Sequence, residues 1–324
     1  MSRRSLLSTT MLSGVVGGIF LATVTVKAAD LNPVAPPVYK APPAVYDLYA
    51  PAVDGPNAKF VALGGSYINR SLYGAGGSLS FPLGGQFGFQ FDGIGGRYDN
   101  RGMGAVGAHF FSRDPARGLL GLYAAHTHWD IFGGIHVNQV AGEGEVYFGP
   151  FTVRGIAGVE WGNSVFTTAS TFATIPPVAG GAGAFITTTG IQGFEVRTRF
   201  FDKVDLAYYP LPDWKLFVGH RYLGGRHALA LGTEIAAPIP GQVKAALFAE
   251  GRIGEGDFHG VWGGLKIYFG QKDKPLIRRH REDDPKDWTP EALGSITPTS
   301  SSKTSVIPIA PLPPPPPPCV DCLL

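Results

Sequence analysis

Between Val204 and Phe269 the side chains alternate, and the alternation sorts them by chemistry. One parity is apolar: Val204, Leu206 and Tyr208, then Leu216 and Val218, then Leu229, Leu231 and Ile235, then Val243, Leu247 and Ile253, then Val261, Leu265, Ile267 and Phe269. The other parity carries Lys203, Asp205, Lys215, Arg221, Arg226, Glu234, Lys244, Glu250, Arg252 and Lys266. Successive side chains of a strand point to opposite faces. Runs of about ten residues separated by Gly/Pro turns therefore read as consecutive strands with one greasy and one charged face. A soluble sandwich buries its greasy face against a second sheet. A transmembrane barrel turns that face to lipid and keeps the charges inside.

The N-terminus bears on that choice. Arg3 and Arg4 precede an apolar run from Met11 to Val26, and Val26-Lys27-Ala28 puts small residues where signal peptidase reads them. The pattern predicts an exported chain with a signal peptide over 1–28, cleaved after Ala28. An uncleaved inner-membrane anchor is the competing reading, but the run is short against the roughly 20 residues that a spanning helix needs. No later segment approaches that length. After export, a membrane location requires a barrel, because only helices and closed barrels satisfy every backbone group in lipid.

Composition fits this class. The chain holds 46 glycines and 12% aromatic residues, and only 16% of its residues are charged, against about 25% in an average soluble domain. A net charge of +2 gives no support for binding nucleic acid or an acidic partner. The only cysteines, Cys319 and Cys322, lie at the C-terminal end, so the folded part is thiol-free, which suits an oxidising periplasm.

Three regions follow the signal. Residues 29–57 form a Pro/Ala/Tyr-rich linker with no periodicity, expected to be extended and mobile. Residues 58–270 are the strand-rich body. Residues 271–324 are a polar, then Pro-rich tail, expected to be largely disordered and to stay in the periplasm.

Within the body the periodicity predicts about twelve strands, with ten or fourteen possible if a hairpin has been merged or split. They lie near 59–68, 73–81, 85–95, 102–112, 117–128, 132–148, 151–162, 198–209, 213–223, 226–237, 242–253 and 258–269. Phe87, Phe89 and Phe91 oppose Gln86, Gln90 and Asp92, and Val153, Val159 and Trp161 oppose Arg154 and Glu160. The strands near 59–68, 102–112 and 117–128 are less clear, since small and apolar residues fall on both faces. The sixth is too long for one span, so it either runs beyond the bilayer or contains a bulge at Gly142 or Gly144. In an even barrel both ends of the sheet lie at the periplasmic side, where turns are short. The turns expected there, at 82–84, 113–116, 149–150, 210–212 and 238–241, are short and each contains Pro. The one long connection, about Asn163 to Arg197, falls on the opposite side. Its Thr, Gly and Ala suit a flexible loop, and it is the one connection long enough to fold inward as a constriction.

Gly264-Leu265-Lys266-Ile267-Tyr268-Phe269 looks like the insertion signal of outer-membrane barrels, which would offer Gly264, Ile267 and Phe269 to the assembly machinery. The match is partial, with Trp262 where a polar residue is usual and a tail following instead of the chain end.

At this point the chain resembles a family. The runs Ser112-Arg113-Asp114-Pro115, Gly118 to Tyr123, Gly158-Val159-Glu160-Trp161-Gly162-Asn163, Phe201 to Tyr209 and Gly219 to Gly225 carry the likeness. They are similar to segments of outer-membrane β-barrel (porin-family) proteins of rhizobium-like alphaproteobacteria. The Pro/Ala/Tyr-rich linker resembles that group too. The resemblance covers most of residues 85–285 and implies an outer-membrane barrel. It implies no defined substrate.

Candidate chemistry is sparse. His126 and His128 share a strand face and, with His109 or His136, make a possible metal set. The competing reading is a pair of half-polar rings at a barrel rim beside Trp129 and Tyr123. Enzymatic barrels need a nucleophile near a His and an acid. No Gly-x-Ser-x-Gly occurs and no serine stands out, so the expectation is no enzyme, no cofactor and no metal.

The inward charges matter more: Arg154, Glu160, Lys203, Asp205, Lys215, Arg221, Glu234, Lys244, Glu250, Arg252 and Lys266. They either line a narrow pore for small solutes and set its preference, or pair across strands and plug the lumen. About eight strands are filled by their own side chains and 16–18 leave a channel, so twelve does not decide. In the tail, Arg278-Arg279-His280-Arg281 followed by Glu282-Asp283-Asp284 reads as a solvated charge run. Pro313 to Pro318 reads as a polyproline spacer toward the cell wall or a partner, or as a low-complexity linker. Cys319-Val320-Asp321-Cys322 is weak evidence for zinc or redox chemistry, and a disulfide is the readier fate.

The sequence thus points to an all-β, antiparallel transmembrane barrel in the outer membrane. A narrow pore is preferred slightly over a structural or adhesion barrel with a plugged lumen. A soluble periplasmic ligand-binding β-protein is the third reading.

Overall fold

The computed structural model describes residues 50–179 and 181–315. The signal segment, linker residues 29–49 and Cys319 and Cys322 lie outside the described residues. Twelve antiparallel strands close into a barrel: β1 (Asn57–Tyr67), β2 (Arg70–Pro82), β3 (Phe87–Tyr98), β4 (Arg101–Asp114), β5 (Gly118–Trp129), β6 (Ile135–Phe148), β7 (Phe151–Gly162), β10 (Arg199–Leu211), β11 (Trp214–Leu223), β12 (Arg226–Ile239), β13 (Val243–Gly254) and β14 (Gly260–Phe269). All twelve coincide with the strands read from periodicity. Each pairs with its neighbour, β7 joins β10, and β1 closes on β14 from Lys59↔Tyr268 to Tyr67↔Gly260. No helix among the described residues is long and apolar enough to cross a membrane.

The parity reading holds around the wall. Phe60, Phe91, Leu122, Val140, Val204, Leu206, Val218, Leu231, Leu247 and Val261 face out and are exposed, while the charges between them are buried inside. β6 begins at Ile135 and keeps continuous register with β5 and β7, so the bulge expected at Gly142 or Gly144 is absent. The one irregular register in the wall falls instead between Tyr208 and Leu211, against β11. Tight hairpins stand where the chain can reach the left-handed region. Asp99-Asn100 and Gly224-Gly225 all have positive φ, as a primed two-residue turn requires.

Two expectations give way. The long connection is not a flexible loop. β8 (Ser164–Ile175) and β9 (Gly183–Glu195) form a hairpin, and β15 (Thr297–Ile309) pairs with the other side of β9, giving a separate sheet in the order β15-β9-β8. Nor does the hairpin fold inward, since nearly every β8 side chain is exposed.

The tail, expected to be disordered and to remain at the periplasmic side, is ordered over most of 271–309 and passes through the barrel. After β14 it forms α1 (Leu276–Glu282) and a 3-10 helix, η1 (Thr289–Ser295), before β15. α1 sits at the mouth where β1 begins and β14 ends, the near mouth. There Arg281 donates to the carbonyls of Gly149 and Phe151, in the β6–β7 turn, and Ile277 N donates to Pro212 O. η1 lies toward the far mouth, where Tyr67 donates to Glu291 O and Arg226 to Gly294 O. The chain therefore runs the length of the lumen and leaves at the opposite end.

Candidate functional site: the occupied lumen

The wall and the tail are chemically fitted to each other. All eleven charged residues singled out above turn inward: Arg154, Glu160, Lys203, Asp205, Lys215, Arg221, Glu234, Lys244 and Arg252 are buried, and Glu250 and Lys266 are nearly so. They meet the tail as well as each other. Glu291, on η1, is the central acceptor. Arg221 donates to it through Nε and through Nη2 at 3.2 Å, Arg252 Nη2 lies at 2.9 Å, and Lys286 Nζ at 3.2 Å. Asp205 shares the same cations, taking Arg221 Nη1 at 2.7 Å, Lys286 Nζ at 3.0 Å and Arg154 Nε at 3.4 Å. A buried charge is tolerable only when paired and hydrogen-bonded. Without the tail, Arg221 and Arg252 would lose the acceptor they share, and three wall cations would face only Asp205 and Glu250.

Two further clusters repeat the pattern. On β7, Glu160 accepts from Ser295 Oγ and, at 2.8 Å, from the Gly224 amide. Lys203 Nζ donates to Gln139 Oε1 and to the Trp288 carbonyl, both at 3.2 Å. On β12, Glu234 takes Lys215 and Lys266, each at 2.7 Å, together with the Tyr268 hydroxyl. His280 of α1 completes this group, its Nδ1 2.8 Å from the Tyr209 hydroxyl. Lys244, the last of the eleven, holds the near mouth by donating to Asp213 at 2.5 Å and to Lys274 O at 2.9 Å.

Apolar packing closes the far half. Leu293 is 0% exposed, and with Trp288 and Ile296 it joins Tyr67, Tyr98, Trp129, Phe258 and Trp262 in one cluster. Full burial of such a side chain contributes about 1.5–3 kcal/mol. Trp288 also lies under Lys286 Nζ, 4.3 Å from its ring centre, and under the Arg221 guanidinium at 5.3 Å. β1, β4 and β5, the strands with blurred alternation, turn Val61, Leu63, Met103, Ala105, Tyr123 and Trp129 inward. These apolar positions pack beside the tail, interleaved with buried Lys59, His109 and Arg113 on the same inner face. A cavity of about 70 Å3 remains beside the tail, bounded by Lys59, Phe248, Trp262, Lys286 and Glu291, enough for a few waters.

Apart from Arg278, which stays exposed and pairs with Glu282, the basic-then-acidic run of the tail is taken up at the near mouth and not solvated. Arg279 is buried and donates to Gln271 O at 2.9 Å. Asp284 pairs with Lys59, and Lys274 reaches Asp283 at 2.7 Å and Asp54 at 2.9 Å. The hydrogen bond from Lys274 holds the Asp54 carboxyl below its usual range. Burial works against the Lys274 ammonium, but its hydrogen bond to Asp283 and its acid neighbours outweigh that and raise its pKa.

The histidines do not assemble as a metal set. His126 and His128 face outward, with His126 Nδ1 2.8 Å from Asn138 Oδ1 and its ring stacked on His136. His109 is on the other side of the wall, buried, with Nε2 2.9 Å from Asp92 and Nδ1 2.7 Å from Glu143. No group of three or more metal-type ligands occurs among the described residues. Sequence reasoning missed the partners contributed by the tail: Asp284, Lys286, Trp288, Glu291 and Ser295. One signal was available, since a Trp amid mixed charges at 286–293 is unlike a disordered composition.

A search of protein families found none that matches this chain, and a search of curated proteins likewise returned no match. The closed twelve-stranded antiparallel barrel itself is consistent with an outer-membrane barrel.

Proposed function

We propose that this chain is an outer-membrane anchoring barrel, sealed by its own C-terminal segment, that presents the β15-β9-β8 sheet on the outer side. The observation that carries the reading is the passage of residues 276–296 through the lumen, with Glu291 bound to Arg221, Arg252 and Lys286. The outward belt of Phe, Leu and Val supports a lipid-facing wall, since a soluble protein would leave a very large apolar band in water. The likeness to porin-family proteins of rhizobium-like alphaproteobacteria supports the same location. Gly264, Ile267 and Phe269 then serve the assembly machinery from β14. A Cβ on Gly264 would run into the Ala62 carbonyl, so this glycine also permits the closing contact with β1.

The filled lumen favours the plugged, adhesion-type barrel over the narrow pore preferred from sequence. A pore requires the tail to leave. Single-channel recording separates the two. The full chain in a planar bilayer should be nearly silent, and a chain ending at Gly270 should give discrete steps. Steady, frequent conductance by the full chain would overturn the sealed reading. A chain that appears in the soluble fraction without detergent would overturn the membrane reading.

A further inference from the structure

The two edges of the outer sheet differ. β15 carries Pro298, Pro308 and Lys303, devices that blunt an edge against strand addition. β8 runs Ser164–Ile175 without a proline or a charge, is rich in Thr, Phe and Ala, and has nearly every side chain in solvent. Phe166 and Phe172 are each 68% exposed. An edge of this length and composition is a template for another strand.

Its sequence also indicates which strand. Around Ala169, β8 reads the same in both directions by residue class: Thr168 mirrors Ser170, Thr167 mirrors Thr171, Phe166 mirrors Phe172, Val165 mirrors Ala173 and Ser164 mirrors Thr174. An antiparallel pair with a two-fold axis at Ala169 places each residue opposite its mirror image. Side-chain parity is kept, so the two Phe166–Phe172 pairs fall on one face with the Thr168–Ser170 pairs. Aromatic pairs and Thr–Thr or Thr–Ser pairs are favourable cross-strand partners. No charge meets a like charge. The Phe172 ring already packs on Phe185 of β9, 6.2 Å between centres, which pre-orders that face.

We propose that β8 pairs antiparallel with β8 of a second copy, about a two-fold axis at Ala169. The direction has a consequence. β8 runs away from the barrel, with Ser164 at the rim and Ile175 distal, so an antiparallel partner has its barrel at the opposite end. Resting on the anchoring role proposed above, the pair joins two copies in facing membranes and not two neighbours in one membrane, whose β8 strands would run parallel. An eleven-position strand contact falls below about 1,200 Å2, in the small and transient class. It gains strength from many copies on each surface.

The test uses the full chain with Cys319→Ser and Cys322→Ser, purified in detergent, carrying either Thr167→Cys or Thr171→Cys. Mild oxidation of the mixture should give a cross-linked dimer of one variant with the other, because positions 167 and 171 face each other. Neither variant alone should cross-link comparably, since its cysteines lie four positions out of register, beyond disulfide reach. Self-cross-linking of each variant would indicate parallel pairing and overturn the proposal, as would no cross-link in the mixture. Vesicles carrying the full chain should also cluster. Thr168→Lys with Ser170→Lys should disperse them, and mixing with vesicles bearing Thr168→Glu and Ser170→Glu should restore clustering. Clustering that persists in the lysine variant would also overturn it. The cross-link reads pairing without lipid, so its failure leaves the anchoring role standing.

Discussion

Replacing Glu291 with Gln probes the seal where wall and tail share charge. Four cations converge there, Arg154, Arg221, Arg252 and Lys286, against three acids, Asp205, Glu250 and Glu291. The local excess is one positive charge, and Glu291→Gln raises it to two. Removing one partner of a buried pair costs about 3–5 kcal/mol. Arg221 and Lys286 keep Asp205, and Arg252 keeps Glu250 at 3.1 Å, so the low end applies. A loss of about 3 kcal/mol corresponds to about a 150-fold shift in the docking equilibrium of the tail. Hydrogen exchange reads that equilibrium directly, because local opening sets the rate. Amides of residues 286–296 should exchange about 150-fold faster in the variant, with β5 and β6 less affected. Unchanged protection of 286–296 would refute the claim that Glu291 holds the tail in the lumen.

Other consequences follow from the same geometry. Gly264→Val places a side chain against the Ala62 carbonyl at the β1–β14 seam. The barrel should lose about 1–3 kcal/mol, seen as an earlier loss of the fast-migrating folded band on heating. His109→Leu leaves Asp92 and Glu143 facing each other in a buried site. Stability should fall by about 3–5 kcal/mol, measured as a lower guanidinium midpoint. Leu247→Arg lies on the outward face near the middle of β13, where Leu247 is 68% exposed. In lipid it should cost about 2–4 kcal/mol, whereas on a water-facing surface it should stay within about 0.5 kcal/mol, so unfolding from bilayers against detergent-free buffer distinguishes the two.

How far the fold could be read depends on what each segment faces. Val204 to Phe269 was legible because lipid-type and lumen-type side chains alternate there without interruption. β1, β4 and β5 were ambiguous because Val61, Leu63, Met103 and Trp129 face the tail inside the barrel. β8 and β9 gave no alternation because β8 meets solvent on both faces, so Thr occurs on either parity there. The eleven inward charges were visible as a parity class, but their partners were not. Nothing in the spacing of Arg221 and Arg252 reveals that their shared acceptor is Glu291, 70 residues beyond Arg221 in the chain. The tail was misread from its Pro-rich end, Pro313 onward, whereas the segment that fills the lumen contains Leu276, Trp288 and Leu293, all buried.

The C-terminal segment enters the barrel at one mouth and leaves at the other. The direct test is cysteine labelling with a membrane-impermeant maleimide on intact cells, in a Cys319→Ser, Cys322→Ser background. Thr304→Cys, exposed on β15, should label before permeabilisation, as should Ser170→Cys on β8. Asp273→Cys, exposed at the near mouth, should label only after it. Labelling of Thr304→Cys only after permeabilisation, together with Asp273→Cys, would contradict passage of the tail through the barrel.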